Sequence, residues 1–210
     1  MADTLDMDGF LGVARSVTGR RWTGPSIEED RLAEQMAQAT ALPPALCRIL
    51  ARRGISAPEA ESFLSPTLRD LLPDPSGIKD MVTAASRILT ALMGRERIAV
   101  FADYDVDGGA SAALLLTWLR DQGHGATLYV PDRIDEGYGP NDEAMAMLSR
   151  DHDLIVCVDC GTLSHGPIAA AKGADVVVLD HHLGGETLPS ALAVVNPNRQ
   201  DEDGSLGHLC

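Results

Sequence analysis

The sequence predicts an α/β domain, a mostly parallel sheet with helices on both faces, preceded by a small helical region. Three observations carry this prediction. Short, near-continuous apolar runs at residues 98–101, 154–158 and 174–179 have the length and β-branched content of strands buried on both sides. Segments of helical periodicity separate them, as a sheet of parallel strands requires. Each run is followed at once by polar residues: Asp103 to Asp107, then Asp159, then Asp180-His181-His182. In an open parallel sheet these positions share one edge, outside the carboxyl ends of the strands, where such folds bind ligands.

The elements follow in order. Residues 1–25, mixed in character with a lone Trp22, read as an arm or extended segment. From Ser26 the pattern turns helical, with Glu29 placed for a capping box, and this helix ends near Ala41 before Pro43-Pro44. A second helix spans 45–53 and stops at Gly54. A third begins after Ser56, with Pro58 and Glu59 near its start. Pro66, Pro73 and Pro75 mark 64–77 as a linker, so the domains are 1–76 and 77–210. A helix at 78–93 leads into the first strand, and the acidic segment after that strand leads into a helix bearing Ala113, Leu116, Trp118 and Leu119. Strands at 126–130 and 192–195 and helices at 142–150 and 165–172 complete the alternation.

Composition narrows the function. With 45% hydrophobic residues in 210, the chain can bury a proper core. A formal charge of −14 argues against attraction to nucleic acid over the whole surface, though not against a local basic groove. No apolar run is long enough to span a bilayer, and the N-terminus lacks a basic stretch followed by an apolar core. The expectation is a cytoplasmic protein with no membrane partner. Cys47, Cys157, Cys160 and Cys210 are too few and scattered for a disulfide framework. Cys157 and Cys160 form a C-x-x-C, but inside an apolar run and without a second pair, so buried, reduced thiols are expected.

The chemistry lies in the carboxylates. Asp103, Asp105 and Asp107 at alternate positions repel one another, and they stay ionised together only beside cations or donors. A divalent metal is the economical explanation. Oxygen and imidazole ligands without thiolate fit Mn²⁺, ahead of Mg²⁺ and Zn²⁺. There are more carboxylates than one ion needs, which suggests a two-metal site with a bridging Asp and ions ~3.5–4 Å apart. Tandem histidines alone would suggest a solvated loop; Asp180 before them and the apolar strand behind reverse that reading.

At DYDVDG, VDCGT and VLDHH the chain resembles the DHH phosphoesterase superfamily, and more closely its RecJ-like branch of 5′→3′ exonucleases acting on single-stranded DNA. Trp22-Thr23-Gly24-Pro25, LLPDPSGIKDM, VPDRIDEGYGPN and VVNPNR support the likeness. The resemblance implies Asp105, Asp107, Asp159 and His181 as ligands of Mn²⁺ or Mg²⁺, with Asp159 between two ions. Asp103 and Asp180 would support them, and His182 would face the scissile phosphate. Arg133 and Tyr138 would lie near the substrate, and replication or repair proteins would be partners. Ala102 and Gly109-Ala110 depart slightly from the pattern. RecJ-like chains continue through a further acidic motif, an associated C-terminal domain and an OB-fold. This chain is therefore expected to be an N-terminal fragment, weak or inactive as a nuclease.

Three rivals remain at this point. A haloacid-dehalogenase-like phosphatase would use Asp105 as a phosphorylated nucleophile, but it wants a Thr after Asp105-Val106-Asp107-Gly108 where this chain has Gly109. Another DHH enzyme would hydrolyse pyrophosphate, short oligonucleotides or nucleotide bisphosphates. A non-catalytic binding module would have lost ligands, whereas all three motifs are intact here.

Overall fold

The structure, a computed structural model, describes residues 9–209. The chain divides into two compact units, one running to Pro73 and the other beginning at Asp74.

In the first unit α1 (Ile27–Ala39) lies against α2 (Pro44–Arg52), followed by α3 (Ala60–Leu64) and α4 (Leu68–Leu71). The capping box forms as expected, with Ser26 Oγ accepting from Glu29 N and the Glu29 carboxylate accepting from Ser26 N. Ala33, Met36, Cys47, Leu50, Ala51 and Ala60 are buried together. Two expectations need correction. Residues 9–25 do not run extended: Phe10 N donates to Trp22 O (2.9 Å) and Trp22 N to Val13 O (3.1 Å), folding the segment back on itself. The expected linker also holds α4 and a 3₁₀ turn at Pro75–Gly77, because Pro66 and Pro73 flank the short helix instead of interrupting it. The rest of the expected arm, residues 1–8, lies outside the described residues.

The second unit runs α5 (Met81–Gly94), β1 (Ile98–Ala102), α6 (Val106–Asp121), β2 (Ala126–Tyr129), α7 (Asp142–Asp151), β3 (Leu154–Val158), α8 (His165–Ala170), β4 (Asp175–Leu179) and β5 (Ala193–Val195). All five strands are parallel, in the order β2-β1-β3-β4-β5. Alternate strand residues feed two cores. Val100, Val156, Val177 and Val195 pack with α5 and α6, while Phe101, Ile155, Val178 and Val194 pack with α7 and α8. Helices thus cover both faces, and β1 and β3 are buried throughout. Cys157 and Cys160 are buried free thiols, and burial raises both above the ordinary thiol range. No helix among the described residues is long and apolar enough to cross a membrane.

Two helix starts differ from expectation. α5 begins at Met81, after Asp80 in a left-handed conformation (φ 61°). α6 begins at Val106, so Asp107, Gly108 and Gly109 belong to its first turn and the acidic loop is shorter than expected. The helix is apolar on most sides; Leu119 is buried, whereas Ala113 and Trp118 are exposed.

The register positions the site. Ala102 pairs with Val158, Val158 with Leu179, and Leu179 with Val195. The next residue of each strand is therefore Asp103, Asp159, Asp180 and Asn196, a row across the carboxyl edge. Backbone bonds stitch it together: Asp103 N to Val158 O (3.4 Å), Asp159 N to Leu179 O (2.8 Å) and Asp180 N to Val195 O (3.0 Å). The chain leaves β1 for β2 on one side and returns to β3 on the other. Asp103 and Asp159 consequently flank the point where the strand order reverses, the usual ligand crevice of such sheets.

Candidate metal centre

Asp103, behind β1, is buried, and neither of its carboxylate oxygens has a hydrogen-bond partner among the described residues. The close approach of α6 holds it there. A Cβ on Gly108 would lie 2.3 Å from Asp103 O, so only glycine lets the first turn of the helix sit against this backbone. Asp105 is the N-cap of α6, and its Oδ1 accepts from Asp107 N (3.0 Å) and Gly108 N (3.1 Å). The bond from Gly108 is the main reason its carboxyl lies below the ordinary range.

Asp159 is the centre of the arrangement. It is buried at the end of β3 with φ 60°, a conformation in which Asn and Asp are the usual non-glycine residues. Its Oδ1 is 2.9 Å from His181 Nε2, and its Oδ2 is buried without a partner among the described residues. Burial, with the adjoining Asp105 carboxyl, pushes Asp159 up to about 6 despite the opposing pull of His181. The two carboxyls are thereby pushed apart, Asp105 down because it has the helix amides and Asp159 up because it is buried beside Asp105.

Asp180 holds the tandem histidines. Its Oδ1 accepts from His181 N (2.8 Å), His182 N (3.2 Å) and His182 Nδ1 (2.8 Å), and its Oδ2 accepts from Thr162 N (2.9 Å). Burial alone would raise Asp180, but these bonds hold it below its ordinary value. Burial likewise opposes the charged form of His182, and the bond to Asp180 outweighs it and raises the imidazole. Since ionised Asp180 only accepts, His182 Nδ1 carries a proton, and the Tyr138 hydroxyl lies 3.1 Å from Nε2 and 3.3 Å from Nδ1. That hydroxyl is also 3.4 Å from Asp159 O.

Ligand atoms of Asp103, Asp105 and Asp159 all lie within 4.8 Å of one another, and so do those of Asp159, His181 and His182. Asp159 belongs to both groups. Three buried carboxylate oxygens, two of Asp103 and one of Asp159, have no partner among the described residues, and they fit a bound cation. Asp107 lies outside both groups. It is exposed on α6 and lines a cavity of about 330 Å³ with Asp159, Asp180 and His181, whose far wall includes Met81 and Val195. Asp103, by contrast, sits inside a ligand group, where the sequence suggested only a supporting place.

Arg133 and Tyr138 approach the same rim through a residue that sequence reasoning missed. The Arg133 guanidinium carbon lies 5.4 Å from the centre of the Tyr104 ring, and Tyr104 meets Tyr138 edge-on at 6.4 Å. Tyr138 in turn meets the His182 ring at 5.7 Å. Tyr104 stands between Asp103 and Asp105, so its place in the acidic motif was the available signal.

The sequence pattern of the DHH family, N-terminal domain, matches residues 97–209. The chain belongs to the DHH family. Membership removes the haloacid-dehalogenase alternative, and Asp105 in this DHH domain caps α6, accepting from Asp107 N and Gly108 N. The protein named single-stranded-DNA-specific exonuclease RecJ of Bacillus subtilis is 32% identical over 182 residues, covering 85% of this chain and 23% of the relative. Its namesake in Salmonella typhimurium is 40% identical over 181 residues, covering 83% and 30%. Among solved structures, RecJ of Thermus thermophilus in complex with Mn²⁺ superposes with a TM-score of 0.64 at 29% identity, covering 85% of this chain and 25% of that one. The chain thus spans less than a third of the length of these relatives.

Proposed function

We propose that this chain carries the metal-binding part of a RecJ-like exonuclease that hydrolyses single-stranded DNA from its 5′ end. The observation that supports the reading is the in-register row Asp103, Asp159, Asp180 with buried oxygens that have no partner among the described residues, in a chain 32–40% identical to proteins named single-stranded-DNA-specific exonuclease.

Asp103, Asp105 and Asp159 would hold one Mn²⁺ or Mg²⁺, and Asp159 with His181 a second, making Asp159 the bridge. Divalent ions so held polarise a phosphodiester, make hydroxide available near neutral pH and stabilise the leaving oxygen. Asp105 is kept ionised by the α6 amides, so it is ready to bind at neutral pH. Asp180 fixes the tautomer of His182 and aims Nε2 toward the substrate side, where it can hold a phosphate oxygen beside the Tyr138 hydroxyl. Arg133, resting on Tyr104, supplies a cation for the backbone, and Tyr138 offers a ring edge to an unpaired base. Asp107 would act from the cavity wall, close to the ions but outside the tight groups. A cytoplasmic location and replication or repair proteins as partners belong to the same reading.

The test uses this segment within a chain of the relatives' full length, with a single strand labelled at its 3′ end and matched Mn²⁺. Progressive shortening, survival of a duplex of the same sequence and loss of activity in Asp159→Asn are expected. Digestion from the 3′ end, or equal attack on the duplex, would overturn the RecJ-like reading and leave the fold assignment standing.

A further inference from the structure

The two histidines stand in a stretch with no regular structure between β4 and β5, yet their rings must point at opposite partners, His181 at Asp159 and His182 at Asp180. Both backbone N–H groups are taken by Asp180 Oδ1. Both carbonyls are taken from β5's end: Asn196 Nδ2 donates to His182 O (2.8 Å), and Asn198 Nδ2 donates to His181 O. All four main-chain polar groups of the pair are therefore held by side chains from neighbouring strand ends.

Asn196 is fully buried and completely engaged. Its other amide hydrogen goes to Thr162 Oγ1 (2.8 Å), and its Oδ1 accepts from Asn198 N (2.7 Å). Turning the amide over would set oxygen against the His182 carbonyl, so its orientation is fixed by its surroundings. Thr162 N is bonded to Asp180, which closes a ring through Asp180, Thr162, Asn196 and His182. Behind it, buried Arg199 ties β5 down through Val194 O (2.7 Å) and Asp80 (2.7 Å).

We propose that Asn196 and Asn198 are positioning residues that clamp the His181-His182 backbone from β5 and so set the aim of both imidazoles at the metal centre. Neither touches the proposed ions. Their effect passes through the two carbonyls. A clamp of this kind makes ligand geometry depend on the outermost strand of the sheet, and its removal should act on metal affinity far more than on folding.

The proposal rests on the metal reading above, and the experiment separates the two. Mn²⁺ affinity is measured by calorimetry for the wild-type chain, Asn196→Ala, Asn198→Ala and Ser149→Ala, the last deleting a buried hydroxyl on α7 that is bonded to Ala146 O and belongs to neither ligand group. The asparagine variants are expected to bind ~10–100-fold more weakly, as for other outer partners of metal ligands, while Ser149→Ala binds as wild type. Imidazole ¹⁵N shifts of the metal-free proteins, at one fixed pH, should show the single His182 tautomer of the wild type replaced by an average in both asparagine variants. Should Asn196→Ala fail to fold, Asn198→Ala alone decides. Unchanged affinity and shifts in Asn198→Ala, or the same loss in Ser149→Ala, would overturn the clamp. Absence of Mn²⁺ binding by the wild type would overturn the metal reading, and the metal-free spectra would still decide the clamp.

Discussion

Asp180 accepts a 2.8 Å hydrogen bond from His182 Nδ1 while receiving the amides of His181, His182 and Thr162, so one buried carboxylate orients the whole DHH turn. Asp180→Asn keeps the shape but replaces one oxygen by a donor. That donor faces either Thr162 N or the three groups on Oδ1, all of which already donate. The variant is expected to fold with reduced stability and to lose ~10–100-fold in Mn²⁺ affinity, measured by calorimetry. Wild-type affinity in a folded Asp180→Asn would remove its orienting role.

Adjacent glycines should respond in opposite directions. A methyl at Gly108 meets Asp103 O at 2.3 Å, and overpacking against backbone costs about 1–3 kcal/mol, which outweighs the helix propensity gained. At Gly109 nothing lies within 4 Å, so Gly109→Ala should stabilise by up to ~1 kcal/mol. Urea midpoints of the two variants check this, and a stabilised Gly108→Ala would contradict the close approach.

The metal-free protein should lose stability as pH rises from about 4 to about 6. Asp159 is raised to about 6 in the folded chain, against ~3.9 for an unfolded Asp, so between these values the folded state holds the extra proton. Its contribution is fully present below ~4 and disappears as pH climbs through about 6. Asp201, paired with Arg199 and Lys79 and lowered to about 2, works in the other direction and only below ~4. Melting temperatures with chelator across pH 4–7 should therefore fall, and Asp159→Asn should flatten the curve.

Saturating Mn²⁺ should reverse that fall. A ligand at 100 times its dissociation constant stabilises the folded state by about 2.7 kcal/mol. Asp159→Asn, which suits the left-handed backbone, should abolish most of the shift, because both ligand groups need that carboxylate. Asp107→Asn should keep most of it. A larger loss from Asp107→Asn would restore Asp107 to the ligand set.

Tyr104 should matter through its ring. A cation over an exposed aromatic face contributes ~0.5–1 kcal/mol, so Tyr104→Leu is expected to weaken binding of a fluorescent single strand about 2–5-fold, and Tyr104→Phe hardly at all. Equal weakening in both would assign the effect to the hydroxyl.

The α/β alternation and the sharing of one edge by Asp103, Asp159 and Asp180 were legible because apolar runs of strand length carry their own period and punctuation. What was illegible depends on pairing between distant segments. Asn196 joins the row only because Leu179 pairs with Val195, a register that no local pattern encodes. The placement of Asp103 and Asp107 was not readable for a similar reason. α6 starts as soon as Asp105 caps it, which turns Asp107 onto the helix surface and leaves Asp103 beneath. Tyr104 escaped notice because its partner, Arg133, is brought to it by the loop after β2. Pro-rich 64–77 looked like a plain linker because a four-residue helix is too short to show a period.

The strand order also sets a timetable. β1 is synthesised first yet lies inside the sheet, and its neighbour β3 emerges only after β2 has taken the opposite side. A chain leaving the ribosome therefore holds Asp103 and Asp105 with an open flank, then gains Asp159, then the two histidines, and last the asparagines of β5 that hold them. The two histidines are thus fixed late, only once β5 has docked beside β4 and brought its asparagines to their carbonyls.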